Sequence, residues 1–195
     1  MKNSLLALLL LLMGVVCFLN PVYGVETMKE CGKVLFKGNP LTLLGTELNA
    51  GTTAPDFLVL SNDLTPLALK DTNGVRVFTS VPSLDTPVCD AQVRRFNQEA
   101  AKLPGVSIYA ISADLPFAQA RWCGGAGITQ VKTVSDHRDM SFASAFGVFV
   151  KELRLLARAV FVVDSSGKVV YKEIVPEMTH APNFEKALEA VKNAK

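Results

Sequence analysis

The residue best placed for chemistry is Cys89. It closes the stretch Pro82-Ser83-Leu84-Asp85-Thr86-Pro87-Val88-Cys89, directly after the apolar run 75–81. Thr86 suits an N-cap, and Pro87 suits the first helical position, where a missing N–H costs nothing. Cys89 then falls on the third helical position, where a capping-box side chain would face unpaired backbone N–H groups. A thiol held there meets the positive end of the helix dipole, which favours the thiolate and hence a nucleophilic sulfur. Cys123 follows in a second short helical segment that begins near Pro116. Two such thiols point to redox chemistry. The competing reading is an inert cysteine used as apolar filler.

The spacing narrows the chemistry further. A Cys-x-x-Cys pair at a strand-to-helix junction exchanges disulfides locally, but here the four positions read Thr86-Pro87-Val88-Cys89. A threonine hydroxyl can only hydrogen-bond to the sulfur or to an oxygen near it. Such a site suits attack on an oxygen atom, giving a sulfenic acid that must be resolved elsewhere.

The elements that must position these groups follow from pattern. Lys33–Lys37 and Leu41–Leu44 flank Gly38-Asn39-Pro40 and read as a hairpin. Short apolar runs at 57–60 and 67–69 precede the turn Asp71–Gly74 and a buried strand over 75–81. The spacing predicts a helix from Pro87 to about Leu103, with Val88, Ala91, Phe96, Ala100 and Leu103 turned inward. A strand over 106–112, a helix from Pro116, a brief strand over 131–134 and a helix over 139–146 come next. The run Gly124-Gly125-Ala126-Gly127 is a poor helix former. An antiparallel hairpin, 159–164 with 169–174, leads to a last helix from Asn183. This order predicts an α/β domain of thioredoxin-like type, a mixed sheet flanked by helices with an added N-terminal hairpin.

Residues 1–24 read as a secretory signal: Lys2, an apolar stretch from Leu5 to Val16 broken by Gly14, and the small residue Gly24 as cleavage point. The apolar stretch is short of the ~20 residues that span a bilayer. The remaining 25–195 suits one domain, and the address expected is periplasmic or secreted. Losing Lys2 takes the formal net charge from +2 to +1, which gives no electrostatic case for nucleic acid or anionic membrane. Of the four cysteines, Cys17 falls in the leader, leaving Cys31, Cys89 and Cys123. The odd number fits one pair and one spare thiol better than a disulfide framework.

These features resemble the thiol peroxidase branch of the peroxiredoxins. The branch's Pro-x-x-x-Thr-x-x-Cys pattern is met by Pro82, Thr86 and Cys89, within SLDTPVCDAQVRRFNQEA. A second block, Ile111 to Cys123, matches the stretch that carries its resolving cysteine. A third, Leu156 to Asp164, places Arg158 where the family keeps its active-site arginine; without the resemblance, Arg158 reads as a solvated strand-end charge. The resemblance covers roughly Lys33 to the C-terminus. It implies that Cys89 attacks a hydroperoxide and that Cys123 resolves the sulfenic acid as an intramolecular disulfide. Arg158 and Thr86 would orient the peroxide and stabilise developing charge, and Pro82 would shield the sulfur from water. It also implies a homodimer, no cofactor, and reduction by a thioredoxin-like dithiol protein. For an exported enzyme that reductant must share the compartment.

A disulfide needs Cα atoms within ~7 Å. The two helices flank different strands, so a cysteine segment is expected to unwind during turnover. The glycines after Cys123 make that segment the easier one to melt, by roughly 1 kcal/mol per Gly relative to Ala. Cys31 has no counterpart in the family pattern and reads as a spare thiol in a flexible N-terminal segment. His137 and His180, the chain's two histidines, are isolated and read as solvated, so no metal site is expected.

Overall fold

The computed structural model describes residues 28–194, and the expected leader, with Cys17, lies outside them. The first element is the hairpin, β1 (Glu30–Phe36) and β2 (Asn39–Leu44). Its turn residues Lys37 and Gly38 both take positive φ, 51° and 79°, the two-residue geometry whose twist suits antiparallel strands. Cys31 lies within β1, at the bulge between Glu30 and Gly32, rather than in a flexible segment. It is half-buried, and its thiol donates to the Gly147 carbonyl at 3.5 Å. Burial raises the Cys31 thiol above its ordinary pKa, and the Glu47 charge adds to that, so this sulfur stays protonated.

The remaining elements are β3 (Leu58–Leu60), β4 (Pro66–Ala68), β5 (Val75–Ser80), α1 (Pro87–Ala100), β6 (Val106–Ser112), α2 (Pro116–Ala126) and β7 (Val131–Ser135). After them come α3 (Ser141–Ala145), β8 (Phe149–Val150), β9 (Leu155–Leu156), β10 (Ala159–Val163), β11 (Val169–Ile174) and α4 (Phe184–Asn193). The main sheet runs β11-β10-β5-β6-β7-β3-β4. β5, β6 and β7 are parallel, joined by the α1 and α2 crossovers, while β10 and β11 return antiparallel. No helix among the described residues is long and apolar enough to cross a membrane.

Alternation along the central strands divides the core into two layers. On β10, Phe161 and Val163 join an aromatic layer with Phe57, Phe78, Phe142 and Phe146, the last two stacked at 4.2 Å. Val160 and Val162 face the other way, under α1 and α4, with Val77, Val93, Phe96 and Ala187. The two-residue strands β8 and β9 are too short to leave a sequence pattern. They extend the hairpin into a second sheet, β1-β2-β8-β9.

Two helices differ from expectation. The buried face of α1 is Cys89, Gln92, Val93 and Phe96, while Val88 is half-exposed and Ala91 exposed. The inward stripe therefore starts one residue later and counts the cysteine as its first member. The helix also ends at Ala100, short of Leu103, which is turned back by a bond from its N–H to the Ala100 carbonyl. α2 runs through Gly124 and Gly125 to Ala126. Gly127 closes it in the left-handed conformation, φ 66°, with its N–H on the Cys123 carbonyl. His137 is half-buried, with Nδ1 2.9 Å from the Ser135 hydroxyl, whereas His180 is exposed as expected.

Candidate active site

β5 ends in the buried Thr79 and Ser80, and the chain turns through Val81 and Pro82, both buried, into α1. The loop is fixed from below by Asp114, whose carboxylate accepts from the Ser83 hydroxyl at 2.7 Å and from the Leu84 N–H at 2.8 Å. Thr86 occupies the N-cap position with extended φ and ψ, and Pro87 is the first helical residue. The Thr86 hydroxyl does not cap the helix. It donates to the Ser83 carbonyl at 3.0 Å, so its lone pairs remain for a second donor. The amides at the start of α1, that of Cys89 among them, lack intrahelical acceptors and leave the positive end of the helix at this turn.

Cys89 has no exposed surface, and neither Cys31, Cys89 nor Cys123 is in a disulfide. Its sulfur accepts from Arg158 Nη2 at 3.3 Å. Arg158 lies between β9 and β10 and is 2 % exposed, a buried side chain rather than a solvated strand-end charge. Its other two nitrogens reach neutral oxygens: Nη1 donates to Gln92 Oε1 at 2.6 Å and Nε to the Met178 carbonyl at 3.0 Å. Gln92 is held in turn by donation from its Nε2 to Thr79 Oγ1 at 2.6 Å. The arginine ion pairs among the described residues involve Arg94, Arg95 and Arg138 instead. A buried guanidinium surrounded by neutral acceptors is costly unless an anion sits beside it. The cysteine sulfur is the remaining group that the guanidinium reaches.

A cavity of about 330 Å³ opens beside this pair, lined by Pro82 and Thr86 from the loop, Val88 from α1, and Arg158 and Met178 from the opposite side. Phe36 at the end of β1 completes the wall, so the N-terminal hairpin forms part of the site. Cys123 stands apart from this cavity, on α2 facing β7. It is half-buried, with its Sγ 3.2 Å from Thr133 Oγ1. The structure thus brings Cys89, Arg158, Thr86 and Pro82 to one place and leaves Cys123 at another. Sequence reasoning missed Gln92, Thr79, Met178 and Phe36. Gln92 carried a signal: three residues after Cys89, it is a polar side chain on an otherwise apolar helix face.

A thioredoxin-like sheet presenting a buried thiol at a helix start, against a buried arginine, is the fold and site of a thiol oxidoreductase. The chain belongs to the redoxin family, whose description, Redoxin, matches residues 49–188. A protein named thiol peroxidase from Bacillus subtilis (strain 168) is 62% identical over 161 residues, 82% of this chain and 96% of that one. A thiol peroxidase from Clostridium acetobutylicum is 55% identical over 163 residues, 84% of this chain and 99% of that one. Among solved structures, a peroxiredoxin-like protein from Aquifex aeolicus superimposes with a TM-score of 0.78 at 40% identity, covering 85% of this chain and 98% of its own. A thiol peroxidase from Chromobacterium violaceum shares the fold, with a TM-score of 0.77 at 18% identity and coverage of 85% and 98%.

Proposed function

We propose that this chain is a thiol-dependent peroxidase that reduces hydrogen peroxide and organic hydroperoxides at Cys89. The observation that carries the reading is the Arg158 Nη2 contact to Cys89 Sγ at 3.3 Å, made by a buried arginine whose other acceptors are neutral. The sulfur attacks the terminal oxygen of ROOH as the thiolate and displaces RO⁻, which leaves as ROH after taking a proton from solvent. Two electrons pass from sulfur into the breaking O–O bond, and Cys89 becomes a sulfenic acid. Arg158 stabilises the charge that develops on the two oxygens, and the Thr86 lone pairs accept from the peroxide O–H. Pro82 walls off solvent from the reacting atoms.

Cys123 then attacks the sulfenic sulfur, water leaves, and a Cys89–Cys123 disulfide forms. A thioredoxin-like dithiol protein reduces it, becoming oxidised itself. The family resemblance supports this pairing, as it supports a homodimer. Export belongs to the same reading and rests on the leader sequence: cleavage after Gly24 leaves 25–195 as the mature domain, in the periplasm or outside the cell.

The test uses the reduced protein and one equivalent of peroxide. Wild type consumes it and loses two titratable thiols. Cys89→Ser consumes none, and Cys123→Ser consumes one equivalent and accumulates a sulfenic acid that dimedone traps. Peroxide consumption by Cys89→Ser, or none by wild type, would sink the reading.

A further inference from the structure

The tip of the hairpin that walls the cavity is clasped by one carboxylate side chain. Glu177 accepts at Oε1 from the Lys37 N–H at 3.1 Å and at Oε2 from the Gly38 N–H at 3.0 Å, the two residues of the hairpin turn. The same side chain accepts from the Thr179 N–H and hydroxyl at 3.0 and 2.8 Å, folding its own strap back on itself. Phe36, Lys37, Met178 and Thr179, the immediate neighbours of these contacts, all line the cavity beside Cys89. Backbone bonds run alongside: Leu35 N–H to the Pro176 carbonyl at 2.6 Å and Met178 N–H to the Leu35 carbonyl at 2.8 Å. Those two hold the strap to the strand, and with it the Met178 carbonyl that takes Arg158 Nε. At the turn itself, beyond the Phe36–Asn39 rung and the Asn39 side-chain bonds to the Phe36 and Lys37 carbonyls, Glu177 is the group that ties Lys37 and Gly38 to the strap.

We propose that Glu177 is a positioning residue that determines which hydroperoxides the Cys89 cavity accepts, by fixing the hairpin tip as its outer wall. The inference rests on the peroxidase reading and refines its substrate selection. Losing the clasp frees the tip while the Leu35–Met178 bonds keep the Arg158 geometry. A small peroxide needs only the sulfur, Arg158 and Thr86. A bulky apolar one also needs Phe36 and Met178 against its organic group. Donation from the Gly38 N–H, reinforced by Thr179 and Lys37, lowers the Glu177 carboxyl to about 2, so the clasp stays charged at any working pH.

The experiment compares kcat/KM for hydrogen peroxide and for cumene hydroperoxide in wild type, Glu177→Ala and Glu177→Gln, with dithiothreitol as reductant. Glu177→Ala is expected to lower the value for cumene hydroperoxide about tenfold more than that for hydrogen peroxide, chiefly through KM. Glu177→Gln keeps one acceptor oxygen and should fall between the two; if the alanine variant fails to fold, the glutamine variant carries the test. A ratio that stays at the wild-type value, whether both rates drop or neither does, overturns the proposal, and so does a shift toward cumene hydroperoxide. Failure of wild type to turn over either peroxide would instead overturn the peroxidase reading.

Discussion

The two helices that carry the thiols of the proposed cycle are held in contrasting ways. α1 sets Cys89, Gln92, Val93 and Phe96 into the core, with no exposed surface on Cys89, Val93 or Phe96. α2 buries only Pro116 and Gln119, leaves Phe117 66% exposed, and carries two glycines in its last turn. Beyond Trp122 and Ile128, which pack half-buried against the apolar cluster of α1, what ties the end of α2 to α1 is polar and near the surface. Trp122 Nε1 donates to Asp90 Oδ1 at 3.0 Å, Arg94 Nη1 to the Ala126 carbonyl at 2.8 Å, and Asn97 Oδ1 accepts from the amides of Thr129, Gln130 and Val131. Few buried apolar contacts and solvent-exposed ties are what a locally opening segment has. The attacking sulfur is fully buried and pre-positioned by packing, whereas the resolving sulfur is half-buried on a helix held largely by polar ties. That division suits a cycle in which one thiol must wait in a fixed geometry and the other must travel to it.

The sharpest way to break this comparison is to disturb the fixed side. Arg158→Met removes the donor to Cys89 while keeping a side chain of similar length. Oxidation of Cys89 by peroxide should fall by roughly 100-fold or more, the size seen when a donor aimed at developing charge is removed. Stability should not follow the rate, because two effects on the fold oppose each other. An apolar replacement relieves the cost of a buried charge, but it strands Gln92 Oε1 and the Met178 carbonyl, at about 1–3 kcal/mol each. Stopped-flow oxidation and thermal melts would separate the two effects. Loss of rate in step with loss of fold would make Arg158 a structural residue and the site something other than a preorganised one.

A smaller effect tests the travelling side. A Cβ added at Gly124 or Gly125 meets nothing within 4 Å, so alanine fits either place. Each substitution stabilises the helix by about 1 kcal/mol, and the pair should slow local opening by roughly 30-fold. The Cys89→Cys123 disulfide step should slow correspondingly, while sulfenic acid formation keeps its wild-type rate. Trp122, the single tryptophan of the chain, neighbours Cys123 and gives a fluorescence signal for that step. Amide exchange over 119–127 should be faster than over 89–96 in wild type and slow in the double variant. A disulfide step untouched by both alanines would mean that α2 does not need to unwind.

How much of this was legible beforehand differs between the same two regions. The strand-to-helix junction was readable because Thr86-Pro87 marks a helix start on local grounds, and local signals survive without knowledge of packing. The position of Cys89 on the buried face was not, since the stripe was drawn from Val88 and Ala91, apolar residues that the structure turns outward. Arg158 gave no local sign of burial, because its partners come from α1 and from residue 178, 66 and 20 positions away. The same holds for the hairpin as a cavity wall, which depends on contacts 140 residues apart. The glycine run at the end of α2 was read as a poor helix former; Gly124 and Gly125 nonetheless continue the helix, and Gly127, the last of the run, ends it as a left-handed cap.

The last effect falls on stability and not on the rate at Cys89, and it belongs to the support of the resolving side. Asp136 follows β7, the strand that Cys123 faces, and its carboxylate accepts from the Phe142 and Ala143 amides at 3.1 and 2.8 Å, closing the start of α3. Burial raises this carboxyl from 3.8 to about 7, and the amide donors offset only part of that. Below pH 3.8 the group is protonated both folded and unfolded, so its contribution to stability is complete there. Between pH 4 and 7 the unfolded chain ionises it and the fold does not. Unfolding then releases a proton, and stability declines as pH rises, until the folded group ionises as well near 7 and the decline stops. Urea midpoints measured from pH 4 to pH 8 should carry this downward component, and Asp136→Asn should remove it without altering the Arg158-dependent rate at Cys89. A slope that persists in Asp136→Asn would place the titrating group elsewhere. A Cys89 oxidation rate that followed Asp136 would show the two sides to be coupled through β7 rather than separately held.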